Sequence, residues 1–160
     1  MFNSLVKTKI LSKDQLFSTL DTTTRKLFLN EKISSTVSDT VGFINKLPTI
    51  LVESFKSTLE EAINADVLLH VIDYSNENFI EKINTVDKIL HDLGLSKVPK
   101  ILIKNKIDIL NFNPYEILLD GSYISQIETS AKLGDGLDKL RQMLIKASET
   151  IINERDYIYV

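Results

Sequence analysis

The sequence predicts an α/β fold built on a mostly parallel sheet, and three observations predict it. Residues 66–73 (DVLLHVID) and 99–104 (PKILIK) are short, apolar and rich in β-branched residues, as buried parallel strands are. Three other stretches repeat apolar residues at helical spacing. Strands and helices then alternate along the chain, which is the pattern of βαβ units.

Taken in order, residues 26–29 and 33–38 are the first, weaker strand candidates. Val52, Phe55, Leu59, Ala62 and Ile63 share one helix face. The strand 66–73 follows. Phe79, Ile83, Val86, Leu90 and Leu93 share a second helix face, with Gly94 as its stop. The strand 99–104 comes next, then a weaker one at 123–127. Leu137, Leu140, Leu144, Ala147 and Ile151 share a third helix face. Ligands of such sheets bind in the loops after the carboxyl ends of strands, so the chemistry is expected there.

Composition narrows the function. A chain of 160 residues points to one domain, and 43% hydrophobic with 26% charged residues is ordinary for a globular one. A net charge of -3 gives no basic footprint for nucleic acid. With no Cys, disulfides, thiolate zinc sites and thiol catalysis are excluded. The apolar runs are far too short for a membrane span, and Lys7 and Lys9 interrupt any leader-like core, so a cytoplasmic protein is expected.

Three loops carry chemistry. After the strand 99–104 comes Asn105-Lys106-Ile107-Asp108. A carboxylate such as Asp108 accepts from both the ring N–H and the exocyclic amine of guanine, a donor pair that adenine lacks. The Lys106 stem can lie along a base plane, and Asn105 can tie neighbouring loops together. Taken alone, four residues read equally well as a solvated turn. Next, Ser130-Ala131-Lys132 follows the last strand, and a small residue there lets backbone N–H groups approach a base oxygen. Earlier, Asp39-Thr40-Val41-Gly42 closes a strand. Its Asp can face Mg²⁺ through water, and its Gly lets a backbone N–H meet a γ-phosphate. Between Lys13 and Lys26 a Thr-rich segment offers a hydroxyl for the metal, though without the other motifs it reads as a surface loop.

These residues resemble the GTPase domain of the HflX family. The resemblance rests on Phe17-Ser18-Thr19-Leu20-Asp21, on Asp39-Thr40-Val41-Gly42-Phe43-Ile44 with Leu47-Pro48, on Phe55-Lys56-Ser57-Thr58-Leu59-Glu60-Glu61 and on Asn105-Lys106-Ile107-Asp108. It implies a P-loop NTPase-like, three-layer G domain with a mostly parallel sheet over residues 1–152, and a C-terminal tail over 153–160. It also implies GTP or GDP as ligand, Mg²⁺ bound with GTP, and the large ribosomal subunit as partner in ribosome splitting. By position, Thr19 is the metal ligand and Phe17, Ser18, Thr19, Leu20 and Asp21 border the nucleotide. Asp39, Thr40, Val41 and Gly42 face the γ-phosphate, and Asn105, Lys106, Ile107, Asp108, Ser130, Ala131 and Lys132 hold guanine. Phe43 stands where Ras-like proteins place a water-orienting Gln, so hydrolysis needs another way to position water.

One part of the pattern is missing. None of the five glycines is followed by Lys, so G-x-x-x-x-G-K-S/T does not occur in these residues. Met1 to Leu5 resemble the segment just after that loop, and the expectation is a G domain lacking its first strand and its P-loop. That strand belongs between those matching 33–38 and 67–73, leaving a gap of about 9–10 Å. Its loss removes on the order of 10 kcal/mol of apolar burial, which predicts a marginal fold and weak or absent GTP binding. Two other readings stand beside a GTPase: a non-catalytic remnant, and a ribosome-binding module that ignores nucleotide. Elsewhere, His70 reads as a packed core residue, His91 as solvated and Glu60-Glu61 as an exposed helix end. Tyr157 and Tyr159 are left undecided between docking and fraying.

Overall fold

The computed structural model describes residues 1–6, 23–39, 62–114, 116–117 and 119–156. In chain order these form α1 (Phe2–Val6), β1 (Thr23–Phe28), β2 (Ser34–Asp39), β3 (Leu68–Asp73), α2 (Phe79–Asp92), β4 (Lys100–Asn105), β5 (Tyr123–Thr129) and α3 (Leu137–Asp156). The first predicted helix face, from Val52 to Ile63, lies outside the described residues except for Ala62 and Ile63. So do Glu60-Glu61, Tyr157 and Tyr159.

β3, β4 and β5 form a parallel sheet in that order. The register sets Asp73 opposite Asn105 and Asn105 opposite Thr129, so three polar residues stand side by side at its carboxyl edge. β1 and β2 form a separate antiparallel hairpin with Phe28 opposite Ser34. Its turn is closed by Asn30 Oδ1, which accepts from the N–H groups of Lys32 and Ile33 at 2.9 and 2.7 Å. The strand expected at 123–127 runs on to Thr129, because ladder pairing with Lys104 and Asn105 outweighs the polarity of Glu128 and Thr129.

Two apolar clusters cover the two faces of the parallel sheet. Leu5, Leu27, Leu29, Ile101, Ile103, Ile127 and Leu140 form one, which joins α1, the hairpin, the sheet and α3. Ile72, Tyr74, Phe79, Ile83 and Leu102 form the other, beneath α2. Each fully buried Leu or Ile contributes about 1.5–3 kcal/mol, so the shared cluster holds the hairpin to the sheet without a ladder. Arg141 of α3 adds a polar tie, donating to the carbonyls of Phe28 at 2.9 Å and Leu5 at 2.8 Å. α2 stops at Gly94 as expected. Gly94 has φ 75°, and the Leu95 N–H returns to the Leu90 carbonyl at 2.8 Å. α3 runs without a break through residues 152 and 153, where the sequence places the start of a tail.

One buried polar network was not foreseen. Lys100 is 2% exposed and pairs with Asp87 Oδ1 at 2.8 Å. Tyr123 donates its hydroxyl proton to the same oxygen at 2.9 Å. The Tyr123 oxygen also lies 2.6 Å from His70 Nδ1. Since the single Tyr proton goes to Asp87, Nδ1 must be the protonated nitrogen of a neutral imidazole. Burial lowers the His70 pKa to about 4, with Asp87 opposing and Lys100 adding to the shift. His70 is thus a packed core residue, as the sequence suggested, and His91 is exposed.

Candidate functional site

The aligned strand ends deliver two loops to one place. Asn105 closes β4 and turns its side-chain oxygen to the neighbouring loop. Its Oδ1 accepts from the Ala131 N–H at 2.9 Å and from Thr129 Oγ1 at 3.2 Å. Ser130 directly follows β5, is fully buried, and donates its hydroxyl to Asp108 Oδ1 at 2.6 Å. Three side-chain hydrogen bonds therefore cross between loops more than twenty residues apart in sequence. Asn105 does the tying that the sequence assigned to it.

Each loop has a backbone device that fixes it. Lys106 sits in the left-handed region with φ 71°, alone among the described non-glycine residues. That kink starts a single 3-10 turn, Ile107–Ile109, which presents Asp108. In the other loop the Ser130 and Asp135 backbones bridge at 3.0 Å, and the Gly134 N–H reaches the Ser130 carbonyl at 2.7 Å. Gly136 closes the loop with φ 76°, and a Cβ there would lie 2.2 Å from the Glu128 carbonyl oxygen. Only glycine fits. α1 also contributes, as Ser4 Oγ donates to the Ala131 carbonyl at 2.8 Å.

What remains open is one acceptor and two donors. Among the described residues no donor reaches Asp108 Oδ2, and neither Asn105 Nδ2 nor the Lys132 N–H has an acceptor. The Ala131 N–H is already committed to Asn105, so a base oxygen would be met by Lys132 instead. Lys106 Nζ reaches Asp73 Oδ2 at 2.7 Å, and Asp73 Oδ1 accepts from Ser75 Oγ at 2.6 Å and from the Ser75 N–H at 3.2 Å. Partial burial pushes the Asp73 carboxyl up. The bonds from Lys106 and Ser75 outweigh it and hold the group below its ordinary value. The sequence reading assigned Asp73 no role; an acid closing a buried strand beside the Asn-Lys loop was the available signal.

The other half of the expected site is only partly described. Asp39 ends β2 as expected, and desolvation raises its carboxyl above the ordinary range. Phe17, Ser18, Thr19, Leu20, Asp21, Thr40, Val41 and Gly42 lie outside the described residues. Among the described residues no cluster of three or more His, Asp or Glu side chains could hold a metal by itself. No described helix is long and apolar enough to cross a membrane. A groove of about 970 Å³ opens between β5 and α3, walled by Gln126, Glu128, Lys139 and Gln142 among others. It includes none of Asn105, Asp108, Ser130 and Ala131.

Comparison with known proteins bears on this geometry. Residues 1–106 match the family described as 50S ribosome-binding GTPase. The GTPase HflX of Caldanaerobacter subterraneus subsp. tengcongensis is 46% identical over 144 residues, which are 90% of this chain and 32% of that protein. The GTPase HflX of Escherichia coli K12 is 37% identical over 145 residues, 90% of this chain and 34% of that one. The chain thus spans about a third of the length of these curated relatives. Among solved structures, a GTP-binding protein from Sulfolobus solfataricus in complex with GDP superposes with a TM-score of 0.72 at 26% identity. That match covers 94% of this chain and 48% of the other.

Proposed function

The chain belongs to the 50S ribosome-binding GTPase family, with HflX proteins as its relatives, and from that premise we propose that it reads guanine with the loops of Asn105 and Ser130. The observation that carries the reading is the cross-bonded pair of loops. Asp108 is anchored through one carboxylate oxygen on Ser130 while the other stays open. A preorganised carboxylate oxygen beside unclaimed N–H donors complements the ring N–H, amine and carbonyl of guanine. It lacks complementarity to adenine, which offers an acceptor at the ring nitrogen where guanine has a donor. Lys106 supplies a stem against the base, and Asn105 Nδ2 a further donor.

GTP and GDP are the proposed ligands and hydrolysis of GTP the proposed family activity, with the large ribosomal subunit as partner and the cytoplasm as compartment. Mg²⁺ would neutralise phosphate charge when bound with GTP. Asp39 would face that ion through water, as an outer ligand. Thr19 is the proposed direct ligand, and residues 17–21 and 39–42 the proposed border of the phosphates. Phosphate grip is proposed to be weak in these 160 residues, because no glycine is followed by Lys.

The test is a nuclear magnetic resonance titration with guanosine and with adenosine. Guanosine is expected to shift the amides of residues 105–108 and 130–132, and adenosine to leave them in place. Asp108→Ala is expected to abolish the guanosine response. Equal responses to both nucleosides would contradict the reading.

A further inference from the structure

Asp73 lies outside both base-reading loops, yet it is the residue that locates the Lys106 ammonium. It closes β3, and the register sets it directly beside Asn105. Its Oδ1 is fixed by two bonds from Ser75 before Lys106 is considered at all. Its Oδ2 then takes Lys106 Nζ at 2.7 Å. The Tyr74 N–H donates to the Asn105 carbonyl at 2.8 Å, so the end of β3 holds two successive residues of the Asn-Lys loop, Asn105 by its backbone and Lys106 by its side chain.

The solvent exposure of this pair argues against a role in stability. The Lys106 side chain is 50% exposed and that of Asp73 34%. Ion pairs that wet contribute little to folding. What the pair does fix is direction. A lysine has a flexible four-carbon stem and a strongly hydrated head, and without an anchor it samples many rotamers. Here its head is held at the end of β3. The stem thereby spans from the Asn-Lys loop to the end of β3, beside the turn that presents Asp108.

We propose that Asp73 is a positioning residue for base recognition, acting through Lys106: it pins the ammonium so that the lysine stem forms a ready-made wall for the purine face. Ser75 is its support. The inference rests on the guanine reading of the preceding subsection and extends it to residues outside the recognised loops. It separates two jobs at one site, with Asp108 selecting the base by its edge and the Asp73–Lys106 pair holding it by its face.

A double-mutant cycle tests this, with guanosine as the probe and binding followed by nuclear magnetic resonance. Asp73→Asn keeps the shape and can still accept from Ser75, but it removes the charge that holds Lys106. It is expected to weaken guanosine binding about threefold to tenfold, with a melting temperature within a few degrees of the unaltered chain. Lys106→Met is expected to weaken binding similarly, and Asp73→Asn on that background to add nothing further. Inosine, which lacks the exocyclic amine, should weaken by the same factor as guanosine in Asp73→Asn. Unchanged affinity in Asp73→Asn, or effects of the two substitutions that multiply, would overturn the positioning role alone. Failure of the unaltered chain to bind guanosine would overturn the guanine reading and this role with it.

Discussion

The two halves of the molecule are built to different standards. Around β3, β4 and β5, strand ends are in register and two loops are cross-bonded. The hairpin of β1 and β2 makes no ladder with that sheet and is held to it by Leu27, Leu29 and the carbonyl that Arg141 caps. The first half ends in groups suited to a base. The second ends, among the described residues, in Asp39. The difference teaches that the ordered, cross-bonded part of this fold is the parallel sheet with its two loops, and the proposed guanine reading rests on that part.

Four perturbations break or sharpen that contrast. The largest effect is expected at Gly136, where a methyl group would collide with the Glu128 carbonyl. Gly136→Ala should cost about 2–4 kcal/mol and distort the Ser130 loop, seen as a lower urea midpoint and displaced amide signals at residues 130–132. A mild change in both would show that the loop tolerates rearrangement.

Acid comes next, and it acts on the sheet half. His70 is neutral when folded with a pKa of about 4, below the ordinary value near 6.5. Above pH 6.5 it contributes nothing to the balance. As pH falls below that, the unfolded chain takes up the proton first, so stability is lost from pH 6.5 down to pH 4, reaching about 3 kcal/mol. His70→Gln keeps a donor for Tyr123 and should remove that part of the acid loss. Parallel stability curves for the two proteins across this range would show that His70 is not buried neutral.

The junction between the halves is tested by Arg141→Ala, which uncaps the Phe28 and Leu5 carbonyls together. A cost of about 1–2 kcal/mol is expected, with faster amide exchange in the hairpin than in β4. Uniform exchange through both would mean that the halves unfold as one. The smallest effect belongs to the hairpin surface. Thr24 and Ser38 share an exposed hydroxyl bond of 2.9 Å, and Ser38→Ala should change stability by less than about 0.5 kcal/mol.

The parallel half was the more legible in sequence, for physical reasons. Runs such as 66–73 and 99–104 are hydrophobic because both faces of a parallel sheet are covered, and that signature needs no partner to be read. The Asn105–Asp108 and Ser130–Lys132 loops were legible because strand order puts them at one edge. The cross-bonds Asn105–Ala131 and Ser130–Asp108 were only partly foreseeable, since they depend on register. Lys100 was hidden altogether. A lysine flanking an apolar run looks like a strand terminus in water, and only the packing of α2 reveals that Asp87 and Tyr123 receive it. Asp73 was hidden for a related reason, because its partner Lys106 is 33 residues away and adjacent only through the β3–β4 ladder.

The most direct measurement is the affinity of the 160-residue chain for guanosine against its affinity for GTP with Mg²⁺. If the base loops work and the phosphates find little grip, the two affinities should agree within about threefold, since phosphates without a cradle of N–H donors stay solvated. GTP binding more than about a hundredfold tighter than guanosine would amount to about 2.7 kcal/mol from the phosphates. That result would contradict the reading in which the base loops of these residues supply the binding and the phosphates add little.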